Sequence, residues 1–264
     1  MTTMANGSSK TADRLAIAAA AVLSAVSIGL FAWDARPTLV PLNLPPRAAL
    51  AWDACLSLLF FLQHSSMVRR PFRARLARML PERYGGLVYA IVSGITLLLV
   101  VVLWQRVDIA VYRLEGAARW IVTALAMFVA ALLLISGYAV RRTIDFLGVR
   151  PVRAHWRREA PPDMPVIVEG PYRWVRHPLY SCILALFWIR PEVMADGLLL
   201  SILWSAWIVA GAFLEERDLV ADLGDAYRRY QRQVPMLVPW RVKPTRWTPS
   251  LTLADRLCDG QGTN

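Results

Sequence analysis

Four stretches of the chain are apolar over nearly the length that a helix needs to cross a lipid bilayer. They are Ala16 to Trp33, Ala48 to Leu62, Gly85 to Trp104 and Trp120 to Val140. A bilayer core of about 30 Å requires roughly 20 helical residues, because hydrocarbon offers no partners to free backbone groups. The sequence therefore predicts at least four transmembrane helices, of which the second is short and carries Asp53.

A fifth apolar region, Leu179 to Leu214, is long enough for two spans. It is interrupted by Arg190-Pro191-Glu192, and a proline between two charges predicts a tight turn between the helices of a hairpin. The first helix of this hairpin would be short. We therefore predict an all-α fold, a polytopic integral membrane helical bundle of five to six spans, with a cytoplasmic C-terminal amphipathic helix.

Positive charge is concentrated in alternate loops. Of the 30 Lys and Arg residues, 24 lie in the N-tail, in residues 64–84, in residues 141–177 and in the C-tail. Such loops stay in the cytoplasm during insertion, which predicts that both termini are cytoplasmic. The basic run at residues 69–75 is best explained as a topology anchor near anionic headgroups. Because the charge follows the topology, we expect no nucleic-acid binding.

Composition and cysteine spacing exclude several classes of protein. A chain that is 56% hydrophobic and 19% charged is too apolar for a soluble or disordered protein and indicates a lipid-embedded one. Cys55, Cys182 and Cys258 form no CxxC pair and have no histidine at metal-ligand spacing. We therefore expect neither a disulfide framework nor a metal site.

Polar residues are most concentrated at residues 170–180, where the hairpin begins. Pro178 suits the first turn of a helix, since its missing N–H leaves no vacancy there, and this places His177 at the N-cap. An anion could bind at the membrane edge here. The free N–H groups at the start of this helix would attract it, and Arg173 and Arg176 would add positive charge. The alternative is an interfacial helix start with snorkelling arginines and belt aromatics.

Two adjacent carboxylates, Glu215 and Glu216, follow the last apolar run. Acidic residues are unfavourable at a helix C-terminus and costly next to hydrocarbon, so this pair predicts a cationic partner. That partner could be Arg173, Arg176 or a ligand. A structural ion pair with these arginines is the alternative to a binding site, and both can hold together.

Beyond the glutamates, Leu219, Leu223, Tyr227 and Tyr230 recur at three- and four-residue spacing. This spacing predicts one face of an amphipathic helix at the membrane surface, within which Gly224 would allow a close approach. The tyrosines could cap a pocket by ring stacking or could be interfacial belt residues. The segment Val234 to Trp240 then predicts an extended apolar strip that returns to the bilayer.

Two ionisable residues of the second span are separate candidates. Asp53 would lie in the outer half of the membrane by this topology, where a structural hydrogen bond is the better interpretation. His64 lies at the cytoplasmic end, and Gln63-His64-Ser65-Ser66 could reach the site. A polar helix terminus explains His64 about as well as a substrate contact.

These motifs together resemble the isoprenylcysteine carboxyl methyltransferase and phospholipid methyltransferase superfamily. The resemblance covers about residues 140–240 and follows the order of the motifs: GPYR at 170–173, RHP-x-Y at 176–180, EE at 215–216, G-x-x-Y-x-x-Y at 224–230 and VP at 234–235. It implies S-adenosylmethionine bound at the cytoplasmic face, between the last two spans and the C-terminal segment. A small or lipophilic methyl acceptor would enter from the bilayer.

The resemblance assigns roles to particular residues. Glu215 or Glu216 would hold the cationic amino group of the cofactor, and Tyr227 and Tyr230 would close over it, with Pro235 in the adenosine-side wall. The remaining residues of the implied cofactor pocket are Tyr172, Arg176, His177, Pro178 and Tyr180.

The N-terminal half resembles one branch, the bacterial methanethiol S-methyltransferases and their relatives, which implies a bacterial inner membrane protein. The residues that support this resemblance are Gln63-His64-Ser65, Met67, Arg70-Pro71 and Glu82-Arg83. The segment LEERDLV at residues 214–220, in the C-terminal half, supports it as well. Tyr180 departs from this branch, where methionine is common, and matches the carboxyl and phospholipid branches. S-methylation of a small thiol such as methanethiol is therefore favoured, with carboxyl O-methylation and phospholipid N-methylation as alternatives.

Methyl transfer from a sulfonium requires positioning and desolvation of the reactants, and no covalent enzyme nucleophile. A thiol acceptor must lose a proton, and Arg173 and Arg176 could lower its pKa as catalytic residues. We expect His177→Ala and Glu216→Ala each to abolish cofactor binding.

A non-enzymatic membrane protein, associated with denitrification or transport, is the competing class. Transporters carry polar groups at midmembrane, whereas in this chain the polar groups collect at one face of the membrane, which favours the enzyme.

Four segments follow from these assignments. We predict a disordered N-tail at 1–13, transmembrane helices at 14–140, a cofactor-binding catalytic region at 141–240 and a C-terminal tail at 241–264.

Overall fold

The structure is a computed structural model that describes residues 2–32, 38–140, 145, 147–159 and 168–240. Helices dominate these residues: α1 (Thr2–Ala32), α2 (Pro46–Val68), α3 (Arg70–Met79), α4 (Gly85–Leu103), α5 (Gly116–Val140), α6 (Arg150–Arg157), α7 (Pro178–Trp188), α8 (Ala195–Leu223) and α9 (Asp225–Gln233). Two short strands, β1 (Ala110–Arg113) and β2 (Glu192–Met194), and two 3-10 turns, Glu82–Tyr84 and Gly170–Arg173, complete the described elements.

Five of the described helices are long and apolar enough to cross a membrane: α1, α2, α4 with the turn before it, α5 and α8. Helix α7 has 11 residues and is therefore about 16 Å long, roughly half of a bilayer core. The predicted helical bundle of five to six spans, with a short fifth one, is confirmed.

The turn between α7 and α8 lies where the sequence predicts it, but it is part of a small antiparallel sheet that the sequence does not predict. Strand β2 pairs with β1 from the α4–α5 connection, with Arg113 opposite Glu192. The Arg113 guanidinium donates to the Glu192 carboxylate at 2.6 Å, and Leu114 N donates to Pro191 O at 2.8 Å. The sheet gives partners to backbone groups that a bare hairpin turn would leave unsatisfied.

Helix α8 begins beside the small sheet. It packs against α2 and α7, while α4 packs along α1 and α2, and α5 packs against α7. Side chains of α2, α8, α4 and the C-cap of α4 form the largest buried cluster of the described residues: Leu56, Phe60, Phe61, Val100, Trp104 and Trp204. Packing of these aromatic rings fixes α2 against α8, and both helices reach the candidate site.

Asp53 has the structural role that the sequence favours. Its side chain is fully buried, and Oδ1 accepts a hydrogen bond from the backbone N–H of Gln105 at 2.9 Å. Gln105 follows the end of α4, where backbone N–H groups have no helical partner. Asp53 therefore joins α2 to the α4–α5 connection.

Glycines 86 and 148 allow two backbone segments to touch. A Cβ on Gly148 would lie 2.3 Å from the carbonyl carbon of Gly86, and Gly148 has a φ of +65°. This conformation disfavours side chains, and a backbone neighbour cannot move aside as a flexible side chain can. The contact joins the start of α4 to the segment preceding α6.

Gly148→Ala is accordingly expected to destabilise the protein by at least about 1–3 kcal/mol, the usual cost of strained backbone or overpacking. The measurement is the thermal unfolding midpoint in detergent. Gly137→Ala is the matched control, because a Cβ there meets nothing within 4 Å. Equal midpoints for the two variants would contradict the proposed close contact.

The chain termini bear on two further predictions. Helix α1 includes residues 2–13, for which the sequence predicts a disordered tail, and its hydrophobic span begins at Lys10. The predicted C-terminal tail, 241–264, lies outside the described residues. The division of the chain at residue 140 stays a prediction.

Candidate active site

The candidate residues lie at the end of the bundle where α7 begins and α8 ends, which we call the site end. Pro178 is the first residue of α7 and His177 its N-cap, as predicted. The 3-10 turn Gly170–Arg173 precedes them, and Gly170 has a φ of +54°, a conformation open to glycine. This turn directs the chain back onto α9.

Glu216 is at the centre of a buried ion-pair network. Its carboxylate accepts hydrogen bonds from Arg176 Nε at 2.5 Å and Nη2 at 2.9 Å. The Gln231 amide donates to it at 2.9 Å, and His177 Nε2 lies 3.2 Å away. The side chains of Arg176 and Glu216 are 9% and 8% exposed. Arg176 is therefore the cationic partner that the glutamate pair predicts.

The C-terminal strip, Val234 to Trp240, is held against the start of α7 by main-chain hydrogen bonds. Arg176 N donates to Pro235 O at 2.8 Å, and His177 N donates to Met236 O at 3.1 Å. The Arg176 guanidinium also donates to the Val234 carbonyl. One buried arginine thus joins α8, α9 and the strip.

The predicted continuous amphipathic helix is wrong in one respect, because it breaks at Gly224. This residue ends α8 and begins α9, with a φ of +58°, and a Cβ there would meet nothing within 4 Å. Gly224 therefore serves the turn and not a close approach. The turn still brings Tyr227 and Tyr230 against Leu219 and Leu223 in one apolar cluster.

Tyr227 and Tyr230 are buried in this cluster and are not belt residues. They are 4% and 3% exposed, and Tyr230 donates its hydroxyl proton to Tyr172 O at 2.7 Å. Burial, before any charge effect, raises the pKa of both side chains above the usual value. Burial and the nearby Glu215 charge raise the pKa of Tyr172 to about 12. All three phenols stay neutral at physiological pH.

A cavity of about 1080 Å³ extends along α8, from Asp222 at the site end to Asp196 at the opposite end. Its middle is mostly apolar, with walls from α1, α5, α7 and α8 that include Phe31, Ala126, Met127, Ala130, Ile183, Leu186 and Trp204. At the site end its lining includes His64, Tyr89, Tyr180 and Glu215, together with the arginine-paired Asp218 and Asp222.

Glu215 differs from its neighbour in both exposure and partners. Its side chain is 48% exposed, and Oε2 accepts a hydrogen bond from Tyr180 at 2.9 Å. The Tyr180 ring in turn stacks on His177, with centroids 5.2 Å apart and planes 3° from parallel. A carboxylate beside stacked rings is therefore presented to the cavity.

The sequence-predicted residues separate into three groups. His64, Tyr180 and Glu215 line the large cavity. Arg176 and Pro235 line a smaller one of about 420 Å³ beside the C-terminal strip. The others line neither of these two cavities: Tyr172, Arg173, His177, Pro178, Glu216, Tyr227 and Tyr230.

The sequence reasoning missed several residues of the site. Arg69, treated as a topology anchor, lines the cavity and donates to Asp218 at 2.9 Å, and Arg70 pairs with Asp222. The sequence feature that could have indicated both pairs is the four-residue spacing of Asp218 and Asp222 on α8, which matches the neighbouring arginines of the basic run. Tyr89 carries no local signal, since one tyrosine in an apolar span resembles a membrane-embedded aromatic.

Comparison with known proteins identifies one matching protein family and several similar proteins. The model of the NnrU protein family matches residues 54–240. A methanethiol S-methyltransferase of Pseudomonas sp. (strain GM41(2012)) is 34% identical, over 76% of this chain and 80% of the relative. That of Mycobacterium tuberculosis (strain ATCC 25618 / H37Rv) is 32% identical, over 70% and 76%. Nurim of Rattus norvegicus is 26% identical, over 65% and 68%. No solved structure matches.

The membrane-spanning helices and these relatives place the chain in the class of integral membrane methyltransferases. It is a member of the NnrU protein family, which the match over residues 54–240 establishes.

Proposed function

We propose that the protein transfers a methyl group from S-adenosylmethionine to a small thiol such as methanethiol. The observation that carries the proposal is the half-exposed Glu215 carboxylate at the site end of a large, mostly apolar cavity. The donor is cationic at its amino group and sulfonium, and the acceptor is an uncharged apolar thiol. A site for this pair needs an acid and an apolar wall side by side.

The groups at the site end fit S-adenosylmethionine. Glu215 can accept hydrogen bonds from the amino group, and Arg69 and Arg73, which line the same end, can attract its carboxylate. The stacked rings of His177 and Tyr180 offer an aromatic surface, of which Tyr180 reaches the cavity. When bound, this cofactor supplies the activated methyl group, so the protein need only position, desolvate and move a proton.

Arg176, His177 and Glu216 are assigned a positioning role in this proposal. Both nitrogens of Arg176 that face Glu216 are hydrogen-bonded to it, so the charge that would lower a thiol pKa is already neutralised. The same residues hold the C-terminal strip with Pro235. The strip would form a wall of the cofactor site, with Tyr172, Pro178, Tyr227 and Tyr230 supporting it from behind. For Arg173 we propose attraction of the cofactor's carboxylate at the membrane edge.

A larger, lipophilic acceptor is the second candidate. The cavity of about 1080 Å³ continues from the site end to Asp196, far beyond the volume that a small thiol fills. An isoprenylcysteine carboxylate or a phospholipid amine could place its chain along the apolar walls of this cavity.

The test is calorimetric binding of S-adenosylmethionine to the purified protein, followed by assay of S-adenosylhomocysteine formation. Methanethiol, a long-chain alkanethiol, a prenylcysteine and phosphatidylethanolamine are compared as acceptors. We expect binding, with turnover on thiols. Turnover confined to the prenylcysteine or the phospholipid would establish the second candidate, and no binding by folded protein would overturn both.

We propose further that the site end faces the cytoplasm of a bacterial cell, where S-adenosylmethionine is made. The support is the excess of Lys and Arg in the loops of that end. Fusions of a cytoplasm-active reporter to the C-terminus and of a periplasm-active reporter after Ile109 should both be active. The reverse pattern would overturn the orientation.

A further inference from the structure

His64 is in the last full turn of α2 and lines the site end of the large cavity. Its ring is held by aromatic neighbours: the centroid of Phe60 is 5.1 Å away and that of Trp207 is 5.2 Å away. The turn itself is fixed on both sides. Thr96 of α4 donates to Gln63 at 2.6 Å, and Trp207 of α8 donates to Ser65 at 3.0 Å.

Tyr89 of α4 is the hydrogen-bond partner of this imidazole. Its hydroxyl lies 2.6 Å from His64 Nε2, within hydrogen-bond distance, and the ring centroids are 5.0 Å apart. Both side chains line the cavity at the end where Tyr180 and Glu215 lie. The pair has the arrangement of a hydroxyl backed by a base, which is the arrangement that proton transfer requires.

The other proton acceptors at this end have different partners. Glu215 accepts from Tyr180, Asp218 is paired with Arg69, and Asp222 is paired with Arg70. Among the described residues that line the cavity, His64 is the single imidazole.

We propose that His64 and Tyr89 form a proton relay that ionises the thiol acceptor; this inference rests on the proposed function. The S–H bond of the acceptor breaks and its proton passes to the Tyr89 oxygen, while the Tyr89 proton passes to His64 Nε2. The thiolate sulfur then bonds to the methyl carbon as that carbon's bond to the donor sulfur breaks. His64 releases the proton to water when the thioether leaves.

The reaction requires the acceptor thiol to lose its proton, and the relay would remove it. An ordinary thiol has a pKa of about 8.5 or higher, so only a few per cent is ionised near pH 7. The apolar walls of the cavity would lower that fraction further, because burial disfavours the charged form. General acid–base catalysis of this kind contributes about 10²–10⁴-fold.

The kinetic test compares His64→Gln, Tyr89→Phe and the double variant on two acceptors. For an alkanethiol, kcat/KM should fall about 10²–10⁴-fold, and the double variant should be no worse than His64→Gln, because the two residues act as a unit. For an aromatic thiol already ionised at the assay pH, the loss should be at most a few-fold. Equal losses on both acceptors would overturn the relay.

A second measurement does not depend on turnover. The chain has three histidines, so ¹⁵N-histidine NMR of the purified protein is tractable, and His64→Gln assigns the signal. Adding an alkanethiol without methyl donor should change the chemical shift of His64 Nε2 through its hydrogen bond to Tyr89, with the ring staying neutral because the proton moves only as the thiol reacts, and this change should be absent in Tyr89→Phe. An unchanged His64 signal at saturating thiol would overturn the relay.

Controls separate the relay from folding and from the proposed function. His155→Gln, at a histidine of α6 outside the cavity lining, should keep wild-type kcat/KM. Calorimetry should show S-adenosylmethionine affinity unchanged in His64→Gln and Tyr89→Phe. Wild-type protein inactive on every thiol would refute the proposed function itself, whereas active wild type with equally active relay variants refutes only the relay.

Discussion

Glu215→Gln is expected to lose about 1.5–3 kcal/mol of S-adenosylmethionine binding, a rise in Kd of roughly 10-fold or more. The amide keeps the size of the side chain but removes the charge that faces the cavity. Because Glu215 is half-exposed and accepts a hydrogen bond from Tyr180 only at one oxygen, the fold should tolerate the change. Calorimetry on the detergent-purified variant measures the Kd, and the thermal unfolding midpoint should stay near wild type.

Two comparisons make this result specific. Asp225→Asn removes a carboxylate that is 73% exposed and paired with Arg228 at the surface, so its Kd should equal that of wild type. Glu216→Gln should instead lower the unfolding midpoint. If Glu215→Gln bound the cofactor normally while a folded Glu216→Gln did not, the assignment of the two glutamates would be reversed.

Arg176→Met should destabilise the protein by about 3–5 kcal/mol, the cost of leaving a buried carboxylate without its partner. The variant also loses the donors to the Val234 and Gln231 carbonyls, so the C-terminal strip should detach. We expect a large fall in the thermal midpoint, together with rapid trypsin cleavage after Arg232.

Arg228→Met is the matched control, since its pair with Asp225 is exposed and surface pairs contribute at most about 1 kcal/mol. The double variant Arg176→Met/Glu216→Leu should recover much of the lost midpoint, because it leaves no uncompensated charge. A midpoint for Arg176→Met equal to that of Arg228→Met would show that the ion pair does not hold the strip.

The behaviour expected of Glu216 also revises an interpretation made from the sequence. Glu216→Ala and His177→Ala are still expected to impair cofactor binding, but through the position of the C-terminal strip and not through lost ligand contacts. Stability and binding should therefore fall together in these variants, and only binding should fall in Glu215→Gln.

Much of the site could be predicted from short motifs. Pro178 after His177 defines a helix start by local backbone chemistry alone, and adjacent acids at the end of an apolar run require a cationic partner wherever they lie. The resemblance to the methyltransferase superfamily then predicted that these separate motifs form one site. Tyr89 could not be predicted, because its role depends on a contact with His64, 25 residues earlier on another helix.

The sequence by itself determined the membrane-spanning helices, the hairpin and the ends at which polar groups collect. These features follow from the length and polarity of local segments, which the bilayer selects directly. Only the tertiary structure decided which partner each polar group has and which of them faces the cavity. Neighbouring residues on a helix point about 100° apart, so packing turned Glu216 inward to Arg176 and left Glu215 facing the cavity.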